Sequence, residues 1–600
     1  MMKEERKIID YDLNGKPVYE KKKERQRRTK ENKDVLYIHI ERDTDETLDI
    51  TEIKVINIKK LEIIKTFNNY DELMSYLISK TYKAVEAVIH DININGAFLP
   101  YYLRDNGFKN IPLTGKKSLS DEPNFKVKEA QPTMSYIKIM SNALTYSYKI
   151  KANKQILTIN DSSKLINMDI KTIRKKAEIS QDIPDYMIIP TYLKRFYEQG
   201  HANITIGSCA FKEFLELEFK GSRERFKRLF PNVSLEINRY FKESYKGGFC
   251  YVAPQVKNKE LYKNGVTIDV NSLYPSVMLN SILPYGEPVY FEGKYENIDG
   301  YHPLYLQRVR LRNAVLKPKH VPCIQKANAT GYYDYVENIE LILTDKELEL
   351  ILNSYYIENI EYVDGYQFRG CKGMFNKYIK KFGDMMKTAT NSVDRLIAKL
   401  FLNALYGKFG TQVERNVMYV DFDENGIEIK KETTETYTTP MYYTPMASFI
   451  TSYARCITIT GANMNYDNYC YADTDSLHLL GSVEDIKGLV LDDKELGAWK
   501  VETIWNKAKF LGLKKYMEYN INSNKWDVTC CGLPKEIQEE AITNMEDLAY
   551  NKEYSKKTLT RVKGGAIMMQ QKYTILPDAD YQKEEEEEEE ENSISLEDII

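Results

Sequence analysis

Three groups of residues in this chain have the types and spacing that chemistry needs. In Tyr471-Ala-Asp-Thr-Asp-Ser476, Asp473 and Asp475 stand two apart between the apolar runs Asn468-Tyr-Cys-Tyr and Leu477-His-Leu-Leu480. The β-rich flanks predict strand, tight turn, strand, and residues two apart in an extended chain share a face. Like charges held that close are costly unless a cation or basic partner lies between them. A hard divalent cation with oxygen ligands suits the place. Alone, the pattern reads first as an exposed acidic turn. Its company changes that reading. In Thr267-Ile-Asp-Val-Asn-Ser-Leu-Tyr-Pro275 an apolar run ends on Asp269, and Tyr274-Pro275 begins a new element. In Lys399-Leu-Phe-Leu-Asn-Ala-Leu-Tyr-Gly-Lys-Phe-Gly410, residues Lys399, Asn403 and Tyr406 fall at i, i+4 and i+7, one helical face, and Gly407 ends the pattern.

The elements that must position these groups have ample material. The chain has 600 residues, enough for several domains. Its net charge of −3 hides an uneven distribution: residues 577–600 carry −11, residues 1–33 carry +5 and the remainder +3. A weakly basic body with a basic arm, centred on Lys21-Lys-Lys-Glu-Arg-Gln-Arg-Arg28, is compatible with phosphate contacts. The arm reads equally as a solvated charge run. Eight cysteines form no C-x-x-C pair, and with six scattered histidines no zinc spacing emerges. Adjacent Cys530 and Cys531 read as buried thiols. No apolar run reaches the ~20 residues of a membrane span, and the N-terminus lacks a signal-peptide pattern. The expectation is an intracellular monomer, in host cytoplasm, with no membrane partner. The eight consecutive glutamates at 584–591 predict a disordered, solubilising tail.

In this order the three groups resemble the polymerase motifs of family B DNA polymerases. The resemblance is to the protein-primed branch, in the compact form of the replicases of small tailed Bacillus phages. It covers about residues 34–576, most strongly 240–535. It implies an α/β multidomain fold: a right hand of palm, fingers and thumb, an N-terminal RNase H-like 3′–5′ exonuclease-type domain, and two insertions tied to protein priming. By position, the implied domains are a basic arm (1–33), exonuclease-like domain (34–205), palm (206–281 and 443–531), first insertion (282–374), fingers (375–410), second insertion (411–442), thumb (532–576) and acidic tail (577–600). Tyr443-Thr-Pro-Met446 and Thr451-Ser-Tyr-Ala-Arg455 are further matches. The resemblance gives the first insertion contact with a terminal protein, and the second a role in processivity and strand displacement.

The resemblance also assigns residues. Asp269 and Asp475 are the implied ligands of two Mg²⁺ ions, with Mn²⁺ as a substitute. Asp473 is a supporting carboxylate and the Val270 carbonyl a further oxygen ligand. Lys399 and Lys387 are implied to reach the dNTP phosphates. Lys387, Arg395 and Lys399 are placed on one helix, over an arc of about 120° at about 100° per residue. Tyr274 lies under the sugar and excludes ribonucleotides, and Tyr406 packs on the nascent pair. Tyr245, Gly247, Gly248, Asn403, Lys514 and Tyr516 are implied to touch the primer-template. Ala404 stands where the family usually has Ser.

The nuclease motifs match incompletely. His90 to Phe98 resembles the second exonuclease motif, but Asn95 stands where the family has Asp, and Asp91 where it has Asn. The first motif, D-x-E, reads His39-Ile40-Glu41. The third, Y-x-x-x-D, aligns with Gln181 to Asp185, so only its Asp185 remains. Hydrolysis on two cations about 4 Å apart needs several carboxylates, Asn supplies no charge, and His is a poor Mg²⁺ ligand. The expectation is a fold kept for architecture and single-strand contact, with weak or absent proofreading. Two other readings stand beside it: a proofreading enzyme in which Asp91 and His39 substitute, and a DNA-binding scaffold with degenerate catalysis. The intact Asp269, Asp473, Asp475 and Lys399 favour an active polymerase.

Overall fold

The computed structural model describes residues 8–11, 17–19, 35–42, 50–79, 84–111, 134–141, 144–152, 155–176, 178–201, 203–327, 329, 331–411, 414–438, 442–562 and 565–578. An N-terminal sheet of eight strands runs in the order Glu62–Phe67, Ile50–Asn57, Val35–Arg42, Ala84–Ile89, Gln155–Asp161, Leu144–Ala152, Met134–Ser141 and Lys109–Asn110. Ala84–Ile89 sits centrally, parallel to both neighbours. Parallel pairing requires a crossover, and the helix Tyr70–Ser79 lies in the connection between Ile50–Asn57, Glu62–Phe67 and the central strand. Alternation then divides the strand residues between two cores. Leu36, Ile38, Val85, Ala87, Leu157 and Ile159 pack with Leu73, Met74 and Leu77 of that helix. Tyr37, Ile56 and Val88 join the main core with Ile188, Tyr192 and Phe196 of the helix Asp185–Glu198.

The second large sheet is antiparallel along its main path: Cys250–Val252, Tyr469–Asp473, Ser476–Leu480, Gly265–Val270, Trp499–Gly512, Lys515–Asn520 and Lys525–Cys530. Its central strand, Gly265–Val270, is buried at every position except Asp269. A Cβ at Gly265 would lie 2.1 Å from the Trp505 ring, so only glycine fits there. Behind the sheet lies the 21-residue helix Thr444–Met464, buried along most of its length. Its hydroxyls are satisfied: Ser448 bonds the Ser244 hydroxyl at 2.9 Å and Thr344 bonds that of Ser452 at 2.5 Å. Among the described residues, no helix is long and apolar enough to cross a membrane.

Between Asp269 and the helical segment is a four-stranded antiparallel sheet ordered Leu283–Glu292, Tyr355–Cys371, Leu304–Leu316 and Tyr335–Thr344. It carries the helix Asp345–Ser354, whose first turn is capped by the Thr344 hydroxyl. Glu414–Phe422 and Glu428–Thr438 form a hairpin around the turn at Asp423–Gly426. A second hairpin, Glu553–Val562 with Gly565–Thr574, follows the helix Lys535–Ala541.

Several expectations need correction. Lys387 does not share a helix with Arg395 and Lys399. The helix Asn376–Thr388 ends, and Asn391 caps a new helix, Ser392–Ala404, by accepting from the Asp394 N–H. Asn403 and Tyr406 are likewise on separate elements, since a short turn of helix, Tyr406–Phe409, follows the break at Leu405. Cys530 is buried but Cys531 is exposed. The N-terminal arm contains two paired strands, Ile8–Tyr11 and Pro17–Tyr19. Residues 21–28, Gly564 and the glutamates at 584–591 lie outside the described residues. Asp578, assigned to a disordered tail, is instead docked: it pairs with Lys515 at 2.5 Å and accepts the Leu513 N–H at 3.0 Å.

Candidate active site

Gly265–Val270 brings Asp269 between two neighbours. Ser476 faces it on one side and Lys500 on the other. The adjoining hairpin turns at Thr474, which adopts φ 64°. That turn is gripped from several directions. The Thr474 N–H donates to the Phe249 carbonyl at 2.7 Å, and the Thr458 hydroxyl to the Thr474 carbonyl at 2.8 Å. The Val270 N–H donates to the Asp475 carbonyl at 2.8 Å, which ties the two aspartate-bearing segments directly. A Cβ at Gly248 would stand 2.6 Å from the Thr474 side chain. Gly248 therefore serves close approach to this turn, while Gly247 has open space where a Cβ would stand.

Asp473 ends one strand and Asp475 lies in the turn that follows, and each carboxylate feels the other's charge and that of Lys514. Asp473 is held by the Lys514 ammonium and by the Cys250 thiol, which donates at 3.2 Å. Asp475 is set against Asp269: burial and then the Asp269 charge push its carboxyl up to about 6. Burial also raises Asp269, opposed by Lys500 at 3.2 Å and by Lys399. Lys500 and Glu502 escaped the sequence reading. Glu502 is raised by burial and by the Asp269 charge, so its carboxylate belongs to the same electrostatic cluster. Both lie on Trp499–Gly512, and only the register of that strand against Asp269 reveals them.

Beneath the turn is a buried polar network. His478 Nδ1 lies 2.6 Å from Glu518, the Thr267 hydroxyl donates to Glu518 at 2.8 Å, and the Trp505 indole N–H donates to Thr267 at 3.1 Å. Every member is paired, which lets such a network rigidify a core.

One wall of the cleft is aromatic. Tyr274, on the helix Leu273–Asn280, stacks on Tyr406 with centroids 4.2 Å apart. Tyr245 packs on Gly410, where a Cβ would come within 2.6 Å of the ring. Lys399 is exposed and its charge reaches Asp269 and Glu502. Lys387 and Asn403 are exposed and make no ion pair or hydrogen bond among the described residues. Arg455 donates to the carbonyls of Lys246 and Gly247 at 2.9 and 2.8 Å and pairs with the buried Glu347 at 2.5 Å. Lys514 has φ 54° and its N–H donates to the Tyr471 hydroxyl at 2.9 Å; Tyr516 packs on Tyr471 at 5.0 Å.

Among the described residues, no three His, Cys, Asp or Glu side chains form a ready metal cage. The donors nevertheless fit Mg²⁺, which is bound by one or two carboxylates together with substrate phosphates. Burial, and then the Asp269 charge, raise the Asp475 carboxyl to about 6, and Lys500 and Lys514 partly balance the acid cluster.

The nuclease-like residues converge differently. His39 and Glu41 lie on Val35–Arg42, with His39 Nε2 3.9 Å from Glu41. Burial pulls His39 down to about 4, so it is neutral at pH 7. Asp185 starts the helix Asp185–Glu198 and pairs with Arg174 at 2.7 Å. Asn95 accepts from Arg42 at 2.8 Å. Asp91 is raised by burial and then by Asp161, beside His90 and Lys164. It faces that group, whereas His39 feels Glu41, Lys54 and Asp185.

Residues 116–487 match the family described as DNA polymerase type B, organellar and viral. The DNA polymerase of Bacillus phage M2 is 31% identical over 87% of this chain and 95% of its own length. That of Bacillus phage phi29 is 29% identical, with the same coverage. Among solved structures, phi29 DNA polymerase with primer-template DNA superposes with a TM-score of 0.78, over 90% of this chain and all of that one, at 29% identity. Its complex with primer-template DNA and incoming nucleotides gives 0.76.

Proposed function

We propose that this chain, which belongs to the type B DNA polymerases of organelles and viruses and is a DNA-directed DNA polymerase, extends a primer 3′-hydroxyl, or a terminal protein's hydroxyl, with two Mg²⁺ ions, in protein-primed replication of a viral or linear-plasmid genome. The observation that carries the site assignment is the opposition of Asp269 and Asp475 across one backbone hydrogen bond, with Lys399 near enough to act on Asp269.

In this reading the second sheet and its long helix are the palm, the helices Asn376–Thr388 and Ser392–Ala404 the fingers, and the C-terminal hairpin the thumb. Asp269 and Asp475 would hold the metal, with the Val270 carbonyl and Asp473 in support. Bound there, Mg²⁺ lowers the pKa of the attacking hydroxyl and offsets the charge of the triphosphate. Lys399, with Lys387 on the neighbouring helix, receives the phosphates as the primer oxygen attacks the α-phosphorus and pyrophosphate leaves. Tyr274, braced by Tyr406, lies under the sugar. Lys514, Tyr516, Tyr245 and the Gly247-Gly248 loop hold the primer-template. Solved relatives bound to primer-template DNA and incoming nucleotides support these partners. The four-stranded sheet and the Glu414–Thr438 hairpin occupy the positions of the two priming insertions, which supports a terminal-protein partner. The nuclease-like cleft is silent.

The test is a 5′-labelled primer on a template with Mg²⁺. Extension with dNTPs and no shortening without them is expected. Asp475→Ala should lose extension yet keep DNA binding; a variant that still extends overturns the metal assignment. Tyr274→Val should admit ribonucleotides, and unchanged sugar discrimination removes that role from Tyr274.

A further inference from the structure

Two-metal nucleases of this fold family hold their cations on a set of carboxylates. The cleft at His39, Glu41, Asn95 and Asp185 does not fit that group, and more than the missing carboxylates is at fault. The oxygens that remain are already engaged by the protein's own cations. Lys54 Nζ lies 2.7 Å from Glu41 and 2.5 Å from Glu52, and 4.9 Å from the centre of the Tyr186 ring. Its side chain is 11% exposed, so it is an interior lysine and not a wandering surface one. Arg42 Nη1 donates to the Asn95 side-chain oxygen at 2.8 Å, and its other nitrogen to the Tyr70 hydroxyl at 3.3 Å. The Asn95 amide group donates in turn to the His90 carbonyl at 2.8 Å. A carboxylate in that orientation would set oxygen against oxygen. Arg174 engages Asp185 and also donates to the carbonyls of Ser180 and Ile183.

We propose that Lys54 and Arg42 are built-in replacements for the divalent cations, so that the cleft is closed to Mg²⁺ by occupation as well as by loss of ligands. This rests on the reading of the cleft as silent. A tethered ammonium supplies a single positive charge to Glu41 and no Lewis acidity, and it competes with any added metal for the same oxygen. The Arg42 guanidinium takes the Asn95 side-chain oxygen, the atom that a ligand at this position would present to a metal. The substitutions are therefore coupled: Lys54 and Arg42 hold the ordered cleft together without metal, and returning the carboxylates alone leaves those two cations in the way.

The experiment compares wild type, His39→Asp/Asn95→Asp, and the same pair with Lys54→Ala and Arg42→Ser. Each is given a 5′-labelled single strand with Mg²⁺ and no dNTPs, and Mn²⁺ binding to the DNA-free protein is measured by calorimetry. Excision adds water to the terminal phosphorus, breaks its bond to the 3′ oxygen, which takes a proton, and releases a nucleoside monophosphate. Primer extension reports the fold of each variant. We expect wild type and the double variant to be silent, and the fourfold variant to excise about tenfold or more above them and to gain Mn²⁺ binding. Excision by wild type overturns the silent reading itself. Excision by the double variant leaves that reading standing and overturns occupation by Lys54 and Arg42. A fourfold variant that extends primers but gains neither excision nor Mn²⁺ binding also overturns it. If the fourfold variant loses extension, Lys54→Gln in the double variant decides on the same two readouts.

Discussion

An ionised Asp475 is held where ionisation is resisted. Burial and the neighbouring Asp269 charge raise its carboxyl from 3.8 to about 6. Between those values the folded protein binds more protons than the unfolded chain, so stability falls as pH rises through that window and the full cost stands above about pH 6. The cost is of order 1–3 kcal/mol once partial exposure is allowed for. Asp475→Asn should therefore raise the melting temperature of the metal-free protein by a few degrees at pH 7.5, with the gain shrinking toward pH 5, while abolishing extension. A lower melting temperature at pH 7.5 would sink this account of the site's electrostatics. The same residues show what a sequence can disclose. Asp269, Asp473 and Asp475 stood out because residue type and local spacing carry their chemistry. Lys500 and Glu502 stayed hidden because strand register alone brings them to Asp269.

Elements were legible where their period was local. The strand, turn and strand around Asp473 and Asp475 follow from their β-rich flanks. The joint at Ala389–Asn391 was missed because uninterrupted helical spacing on either side overrode one capping residue, Asn391. Packing between elements is the harder part. The hairpin Glu414–Phe422 with Glu428–Thr438 meets the N-terminal sheet through Lys138 and Glu428, 2.6 Å apart with side chains 1% and 7% exposed. Arg104 reinforces that seam, stacking over Phe422 at 4.8 Å and donating to the Gly426 carbonyl at 2.8 Å. Removing one member of a buried pair costs about 3–5 kcal/mol because the other charge is stranded. Lys138→Met should loosen the hairpin and cut synthesis through a downstream duplex, leaving run-off on a single-stranded template intact. Adding Glu428→Gln should recover part of the loss. Equal loss on both templates would assign the pair to general folding instead.

At the scale of the molecule, charge placement is the feature that composition averaged away. A net charge of −3 conceals an acidic C-terminal segment joined to a basic body. The structure adds where that segment begins. Asp578 is pinned to Lys515 and the Leu513 N–H, and Lys515 sits between Lys514, which holds Asp473, and Tyr516. The acidic stretch therefore starts beside the loop assigned to the primer. Residues 579–600 hold eleven acidic residues and one lysine, so removing them takes the formal net charge from −3 to +7. A polyanion tethered there raises the local negative potential that an incoming phosphate backbone must overcome. Screening limits that field to about 10 Å at 0.1 M salt, and binding to DNA weakens steeply with salt in any case. Truncation after Asp578, which keeps the anchor, should tighten DNA binding by about tenfold at 50 mM salt in fluorescence anisotropy, with the difference falling to within about twofold at 300 mM. Equal affinities at low salt would mean that the acidic segment stays clear of the DNA path, and its role would then lie with a partner instead.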